Sequence, residues 1–544
     1  MKLKRGGARP GAGRKKTAAP TKVMRLEIPL ALALEHAIAH YPISEIVEAI
    51  GALDTLFDSC NKNQTALDRE QPNDIDSCNR NQSEGANAVT ASVLDSCNKN
   101  QIEENPLNSD QQKSVEVLLD WFKGKKKSAA LSGAAGTGKT FLVGYFVKEL
   151  RKDENVSPIF VVPTHKAKKQ LQRSLSNSGM GGSECYTIAQ ALGKQPIVNR
   201  DGTEGFDKEN SSLIAGADLV ICDEASMVSA EDYQEIIDSV KKVLWMGDRY
   251  QLPPVGEALS PAFAKTPINV ELRQVMRYSG HILNECQKLR EAVDTNSIYW
   301  PQADELAVIT VSSSEAFEIA GNLFASTDFS ENSNFCRLLA FRNKEVDFFN
   351  RNIKRFVYGH SKEFFKSQKL IATRPVIRLV LDPKYGVQKM IVATNSEEME
   401  IVSEPFKRAI TSEDLSLAPD ICQKLRGTMT LFKCTPESGN KFEARILHEN
   451  AIKSKQAIFN EARRKGNKKA MAFLHAWGDS LKDIFALTVH KSQGSTFNYV
   501  FVHIEDILKQ PSKKQFDEKD QRPELLYTAF SRASEKVYII QSPF

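Results

Sequence analysis

The 544-residue sequence predicts an α/β fold built on parallel strands, and three stretches carry that prediction. Each is a short apolar run that stops at small, polar or charged residues. Ala129 to Ser132 runs into Gly133-Ala134-Ala135-Gly136-Thr137-Gly138-Lys139-Thr140 and then into the amphipathic stretch Phe141 to Leu150. Asp218 to Cys222 ends in Asp223-Glu224, and Val243 to Met246 ends in Gly247-Asp248. Buried parallel strands read as continuous apolar runs, and ligands gather outside their carboxyl ends.

The first stretch matches G-x-x-x-x-G-K-[ST] in register between a strand and a helix. Its glycines let successive backbone N–H groups face a polyphosphate, and the following helix points its positive end at the same anion. The segment Gly133, Ala134, Ala135, Gly136, Thr137, Gly138, Lys139 and Thr140 therefore predicts ATP or a related nucleotide, with Lys139 on the β/γ-phosphates and the Thr140 hydroxyl on Mg²⁺. In the second stretch Asp223 would hold the same Mg²⁺ and Glu224 would orient or activate the attacking water. Paired buried carboxylates without a cation are costly, so the pair favours hydrolysis over simple binding.

The chain is long enough for three or four domains. No charge-free apolar run could span a bilayer, and the basic first residues lack the apolar segment of a secretory signal, so no membrane is expected and the cytoplasm is. Nine cysteines without C-x-x-C pairs fit reduced thiols, against a disulfide framework or structural zinc. The net charge of +5 does not by itself establish nucleic-acid binding.

Residues 1–53 read as a basic arm and a small helical module. Lys2, Lys4, Arg5, Arg9, Arg14, Lys15, Lys16 and Lys22 stand among glycines and prolines with no acid, predicting a partly disordered extension that either attracts nucleic-acid phosphates or only aids solubility. Val23 to Ile28 alternates like a strand and Leu30 to Ala52 has helical spacing, an order that resembles half of a ribbon-helix-helix dimer. Residues 54–104 are polar and repeat Asp-Ser-Cys-Asn-(Lys/Arg)-Asn-Gln around Cys60, Cys78 and Cys97, as expected of a duplicated linker. Order resumes at Leu107, where Asn108 or Ser109 can cap a helix with the apolar face Val115, Leu118, Leu119, Trp121 and Phe122. Gln111 at its start can offer donor and acceptor to an adenine edge, or lie on the surface.

Further on, Ile159 to Val162 ends in Pro163-Thr164-His165-Lys166, a polar and basic cluster suited to a nucleic-acid backbone or to a solvated helix start. After Gly247-Asp248 come Arg249-Tyr250-Gln251-Leu252-Pro253-Pro254, with Gln251 able to sense a γ-phosphate. Arg277 in Glu271-Leu272-Arg273-Gln274-Val275-Met276-Arg277 and Arg532 in Tyr527-Thr528-Ala529-Phe530-Ser531-Arg532-Ala533 could reach that phosphate from a second lobe.

These segments, together with Leu487-Thr488-Val489-His490-Lys491-Ser492-Gln493-Gly494-Ser495-Thr496, resemble in order and spacing the superfamily 1 helicases of the RecD/Dda branch, from Leu107 to the carboxyl terminus. The resemblance implies two RecA-like P-loop NTPase cores with ATP between them: core 1 over 105–270 with a β-hairpin pin at 193–210, core 2 over 271–365 and 480–544, and an SH3-like β-barrel insertion over 366–479. It implies catalytic positions at Lys139, Thr140, Asp223, Glu224, Gln251, Arg277 and Arg532, and adenine recognition at Gln111. It implies single-strand contacts at Pro163, Thr164, His165 and Lys166 in one core and at Thr488, His490, Lys491, Ser492 and Gln493 in the other. Thr187-Ile188-Ala189-Gln190 resembles a further strand motif, although relatives have histidine where Ala189 stands.

Asp201-Gly202 is a turn signal between extended runs, so the hairpin also stands on turn chemistry. Phe206 would face the fork or anchor the hairpin to the core. Short β-like runs at Val376 to Leu381, Lys389 to Ala393, Met399 to Val402 and Thr428 to Lys433 fit a small barrel. The expected function is an ATP-dependent DNA helicase moving 5′ to 3′ as a monomer on single-stranded and forked DNA, with single-strand-binding or replication proteins as further partners. An ATP-controlled loading module and an RNA helicase are the rival readings.

Overall fold

The architecture follows from where the apolar runs stop. The computed structural model describes residues 107–198, 204–208, 211–274, 280–304, 306–359, 362–384, 386–509 and 520–541. The basic arm, the repeat linker, Arg277 and the Asp201-Gly202 turn lie outside the described residues, as does the side chain of Phe206. The first helix, Ser109–Lys123, starts with a reciprocal cap: Asn108 accepts the Gln111 N–H at 2.8 Å while the Gln111 side chain accepts the Asn108 N–H at 3.2 Å.

The first lobe contains β1 (Ser128–Gly133), β2 (Ile159–Val162), β3 (Cys185–Thr187), β4 (Lys194–Val198), β5 (Glu204–Lys208), β6 (Val220–Cys222), β7 (Val243–Gly247) and β8 (Asn269–Leu272). Six of these form an all-parallel sheet in the order β3-β2-β6-β7-β1-β8. Side chains alternate between faces along each strand. Leu131, Phe160 and Met246 meet Leu118, Phe146 and Leu171 on one face, whereas Ala130, Val161 and Trp245 meet Ile188, Tyr233 and Phe263 on the other. Both faces are covered by helices, so every residue of β1 and β7 is buried.

The chain continues with β9 (Val308–Val311) and β10 (Cys336–Ala340) and departs through β11 (Lys369–Ala372). It then lays down β12 (Val376–Asp382), β13 (Gly386–Ala393), β14 (Glu398–Ile401), β15 (Phe406–Ala409), β16 (Thr428–Pro436), β17 (Phe442–Leu447) and β18 (Leu481–Asp483), and returns with β19 (Ala486–Thr488), β20 (Phe497–His503) and β21 (Ala533–Ile540). The second lobe is a five-stranded parallel sheet, β19-β10-β20-β21-β9. Its core reaches across to the first lobe, because Leu252, from the segment after β7, is buried within it.

The inserted segment carries helices as well as the expected β-runs. Its four anticipated β-runs divide between an antiparallel sheet, β15-β16-β14-β11-β18 with β17 beside β16, and a separate ribbon of β12 and β13. Two helices, Glu449–Arg464 and Lys468–Ala476, supply Ile458, Ala462, Phe473 and Leu474 to the apolar cluster behind the sheet. β4 and β5 pair antiparallel from Lys194↔Lys208 to Val198↔Glu204. At the hairpin base Lys194 is gripped by Glu235 at 2.7 Å and Asp232 at 2.9 Å, and the helix Lys468–Ala476 lies against β4. No described helix is long and apolar enough to cross a membrane.

Candidate active site

β1 delivers the chain into a loop whose tightness demands glycine. Gly136 and Gly138 have φ of 81° and 82°, and a Cβ on Gly138 would stand 2.8 Å from the Gln111 amide nitrogen. Helix Lys139–Asp153 begins directly after it. Thr137 is buried and donates to the Ala134 carbonyl at 3.0 Å, while Lys139 folds back to donate to the Gly133 and Ala134 carbonyls at 2.7 and 3.0 Å. Gln111 sits behind the loop rather than on the cleft wall. Its nitrogen donates to the Thr137 carbonyl at 3.4 Å and its oxygen belongs to the helix cap, so it ties the loop to the start of that helix.

The loop opens onto a cleft of about 480 Å³, within the roughly 300–1,000 Å³ range of small-molecule sites. Lys139, Thr140, Asp223, Glu224 and Gln251 line it from the first lobe, and Gly494, Ser495, Thr496 and Arg532 line it from the second. Asp223 extends β6, its N–H donating to Val161, and its carboxylate accepts the Glu224 N–H at 2.8 Å. Glu224 takes φ of 53°, a left-handed backbone uncommon for a residue with a side chain, which turns it into the cleft. Burial lifts both carboxyls above their ordinary range. For Glu224 the Asp223 charge adds to this, while Arg532 and Lys139 oppose it; for Asp223 the opposition comes from Lys139 and the Glu224 N–H. Such a pair calls for a cation, and Thr140 and Asp223 supply the oxygen donors that Mg²⁺ prefers.

Arg532 is only 3% exposed and is held by the Thr528 carbonyl, the Ser495 carbonyl and the Ser531 hydroxyl, each at 3.1 Å. Gln251 is buried, and its side-chain oxygen accepts no hydrogen bond. That acceptor belongs to a residue lining the cleft beside both carboxylates and suits a water or phosphate hydroxyl.

Gln493, expected on the strand path, and several residues that the sequence did not single out join the lobes here. Tyr527 donates its hydroxyl to the buried Asp248, Thr528 accepts the Leu252 N–H at 3.2 Å, and Gln493 donates to the Leu252 carbonyl at 3.1 Å. Arg290 stacks 4.3 Å from the Tyr250 ring centre. For the rest the only signal was adjacency to a motif, since Tyr and Thr in an apolar helix read as core.

The expected strand-contacting residues are dispersed. Thr164, Thr187 and Thr488 each cap a helix, accepting from the N–H three residues on at 3.2, 3.3 and 3.4 Å. Thr187 and Ser492 are buried, while His490 is exposed and lies beside Phe341. Pro163 and His165 are half-buried at the end of β2, and burial next to Lys168 lowers the His165 pKa. Lys166 is the clearest departure. Its ammonium is buried 3.8 Å from Glu398 of β14 and 5.7 Å from the Phe497 ring centre, with Arg337 of β10 on the same carboxylate at 2.9 Å. It thus joins both lobes and the insertion at one point, because a buried ammonium needs an anion and Glu398 is the one at hand. Lys491 donates to the Thr373 carbonyl at 3.2 Å and lines a second cavity of about 460 Å³ with Asn343, Thr373, Ser480, Lys482 and Thr488.

Residues 106–304 match the model of an AAA domain, and residues 483–540 that of the UvrD-like helicase C-terminal domain. An uncharacterized protein of Acanthamoeba polyphaga mimivirus is 24% identical over 504 residues, spanning 79% of this chain and 99% of that protein. The ATP-dependent DNA helicase dda of Enterobacteria phage T4 is 23% identical over 465 residues, spanning 80% of this chain and 99% of that protein. Among solved structures, Pif1 helicase from Bacteroides in complex with ADP-AlF3 and ssDNA aligns with 81% of this chain and 94% of its own at 14% identity, with a TM-score of 0.41. A phosphate loop in one parallel lobe and a buried arginine from a second lobe in the same cleft, under these two domain matches, define an ATP-hydrolysing superfamily 1 helicase. Over four fifths of its length the chain is similar to the phage T4 helicase dda.

Proposed function

We propose that this protein couples ATP hydrolysis in the cleft to travel along single-stranded DNA, 5′ to 3′, and that the β4–β5 hairpin is the pin that opens duplex ahead of it. The observation that carries the reading is the shared cleft, in which Arg532 of one lobe stands with Lys139, Asp223 and Glu224 of the other. Lys139 would leave its loop carbonyls for the β/γ-phosphates, Glu224 would take the proton of the attacking water, and the Gln251 oxygen would orient that water. Thr140 and Asp223 would hold the Mg²⁺ that, when bound, neutralises phosphate charge. Arg532, with Arg277 as its partner, would meet the γ-phosphate as the lobes close.

The strand would cross from the end of β2 to the 460 Å³ cavity of the second lobe, where Lys482, Lys491 and the cap of Thr488 face it. Each round of closure and release would then advance the grip. Splitting a base-pair step costs only about 0.6 to 2.2 kcal/mol, within reach of a pin driven by translocation. The inserted antiparallel sheet, the proposed SH3-like element, supports that pin through the helix Lys468–Ala476 beside β4.

Strand displacement on labelled 5′- and 3′-tailed duplexes tests this directly. Opening of the 5′-tailed duplex alone is expected, and opening from the 3′ tail alone would reverse the assigned direction. ATPase stimulation by single-stranded RNA equal to that by DNA would remove the assignment to DNA. Loss of opening with intact DNA-stimulated ATPase on shortening 196–208 would support the pin, and full opening would remove it.

A further inference from the structure

The turn after β7 enters the cleft through one side chain and meets the second lobe through three residues. Asp248 fixes the turn: its carbonyl accepts the Gln251 N–H and its carboxylate the Tyr250 N–H, each at 3.1 Å. The second lobe grips it from two helices, His281–Asp294 and Arg522–Phe530, both packed into that lobe's core. Tyr527 donates to Asp248, Thr528 accepts the Leu252 N–H, and Asp294 accepts the Tyr250 hydroxyl at 3.0 Å. Of the two residues left over, Arg249 is exposed and Gln251 lines the cleft. The Gln251 oxygen accepts no hydrogen bond, so the backbone of the turn sets where it stands.

Tyr250 adjoins Gln251 in the chain, and Arg290, from the helix His281–Asp294, closes on its ring. The guanidinium lies 4.3 Å from the Tyr250 ring centre and 6.0 Å from that of Tyr527, and the two rings meet edge to face at 6.2 Å. A cation within about 6 Å of a ring centre is drawn to its face, most strongly where water is excluded. Arg290 meets that condition, with a side chain only 14% exposed. An arginine retained for a salt bridge points its planar fork at a carboxylate. This one does not: its Nε and Nη2 make no hydrogen bond, and Glu271 stands 3.7 Å away. Burial disfavours the Arg290 cation, and Tyr527, Asp248, Tyr250 and Glu271 around it more than restore it.

We propose that Arg290 is a positioning residue for ATP hydrolysis: by clasping the Tyr250 ring it lets the second lobe set where the Gln251 oxygen stands in the cleft. The inference rests on the reading of Gln251 as the group that orients the attacking water. Arg532 follows directly on the helix that holds Asp248 and Leu252, so the water-orienting oxygen and the γ-phosphate arginine both hang from the second lobe. Movement of that lobe carries the two together, and Arg290 is the part of the linkage that serves Gln251.

Steady-state ATPase of the full chain with single-stranded DNA tests this in a double-variant cycle. Gln251→Ala and Arg290→Met should each lower kcat by about 10²-fold, the cost of a misplaced orienting group, with KM for ATP unchanged. The double variant should be no slower than Gln251→Ala alone, because nothing is left to position. Losses that multiply would overturn the inference, since Arg290 would then act on something other than Gln251. Gln251→Ala at the wild-type rate would instead remove the reading of Gln251, and the inference with it. Tyr250→Leu keeps the Arg290 charge beside Asp248 and removes the ring; it should fall as far as Arg290→Met, and Tyr250→Phe, which loses only the hydroxyl, should recover most of the rate. Tyr250→Leu at the wild-type rate would overturn the clasp. Should Arg290→Met fail to fold, Tyr250→Leu takes its place in the cycle with Gln251→Ala, with the same outcomes.

Discussion

The nucleotide cleft and the surface expected to face the strand are built from equally recognisable motifs, yet they use their side chains differently. In the cleft, Lys139, Asp223, Glu224, Gln251 and Arg532 come from four separate stretches of chain and converge on about 480 Å³. Along the expected strand path, Thr164, Thr187 and Thr488 turn inward to cap helices, and Lys166 turns inward to Glu398. A compact polyanion must be met by converging side chains. An extended strand can instead be met by backbone that those side chains have shaped, and this is the lesson of the difference.

The comparison is sharpened most by Arg532→Ala, expected to lower ATPase kcat by about 10³-fold or more. Arg532→Lys keeps the charge but not the planar fork held between Thr528 and Ser495, and should fall nearly as far. Full rescue by lysine would mean the cleft needs only charge. Next, Glu224→Gln should lower kcat by about 10²- to 10⁴-fold. Its raised pKa also fixes the sign of the pH dependence: a base acts only above its pKa, so wild-type activity should fail on acidification at a pH above the ordinary glutamate value of about 4.3, and the variant should lack that limb.

On the other side of the comparison, Lys166→Met should lower stability by about 1–3 kcal/mol in urea unfolding, leaving Arg337 alone on Glu398, while the salt slope for single-stranded DNA stays constant. A slope lower by about 0.7 would show that Lys166 meets a phosphate after all and would break the contrast. The smallest effects belong to the caps. Thr187→Ala and Thr488→Ala should each cost about 1 kcal/mol, and the serine variants should recover most of it. Serine variants as weak as alanine would point to a role outside capping.

The parallel sheets were legible because a strand buried on both faces leaves a continuous apolar run, and because each run here stops at a chemically distinct residue. The residues that line the cleft were legible for the same reason, since strand ends fix where a side chain can go. Orientation away from the strands was not legible. Lys166 is one residue past a helix start, and nothing in Pro163-Thr164-His165-Lys166 says that a glutamate over two hundred residues away will claim its ammonium. The insertion was read through its β-runs alone, so the helices Glu449–Arg464 and Lys468–Ala476 went unanticipated, although both carry apolar residues at helical spacing. Tyr527 and Thr528 looked like core residues because they are core residues that also reach across the lobes.

The way the insertion leaves the second lobe has a consequence for its ancestry. β11 and β18 pair antiparallel from Leu370↔Asp483 to Ala372↔Leu481, and just beyond them the Thr373 N–H meets the Ser480 carbonyl at 2.9 Å. More than a hundred residues thus hang from a stalk two strands wide, the arrangement of a spliced-in cassette whose removal leaves the two cut ends already side by side. Replacing 374–479 with a short glycine turn, and exchanging both Arg337 and Lys166 for methionine so that no buried cation is stranded without Glu398, should yield a stripped motor that still turns over ATP; a failure to fold would show that the cassette had become a keystone.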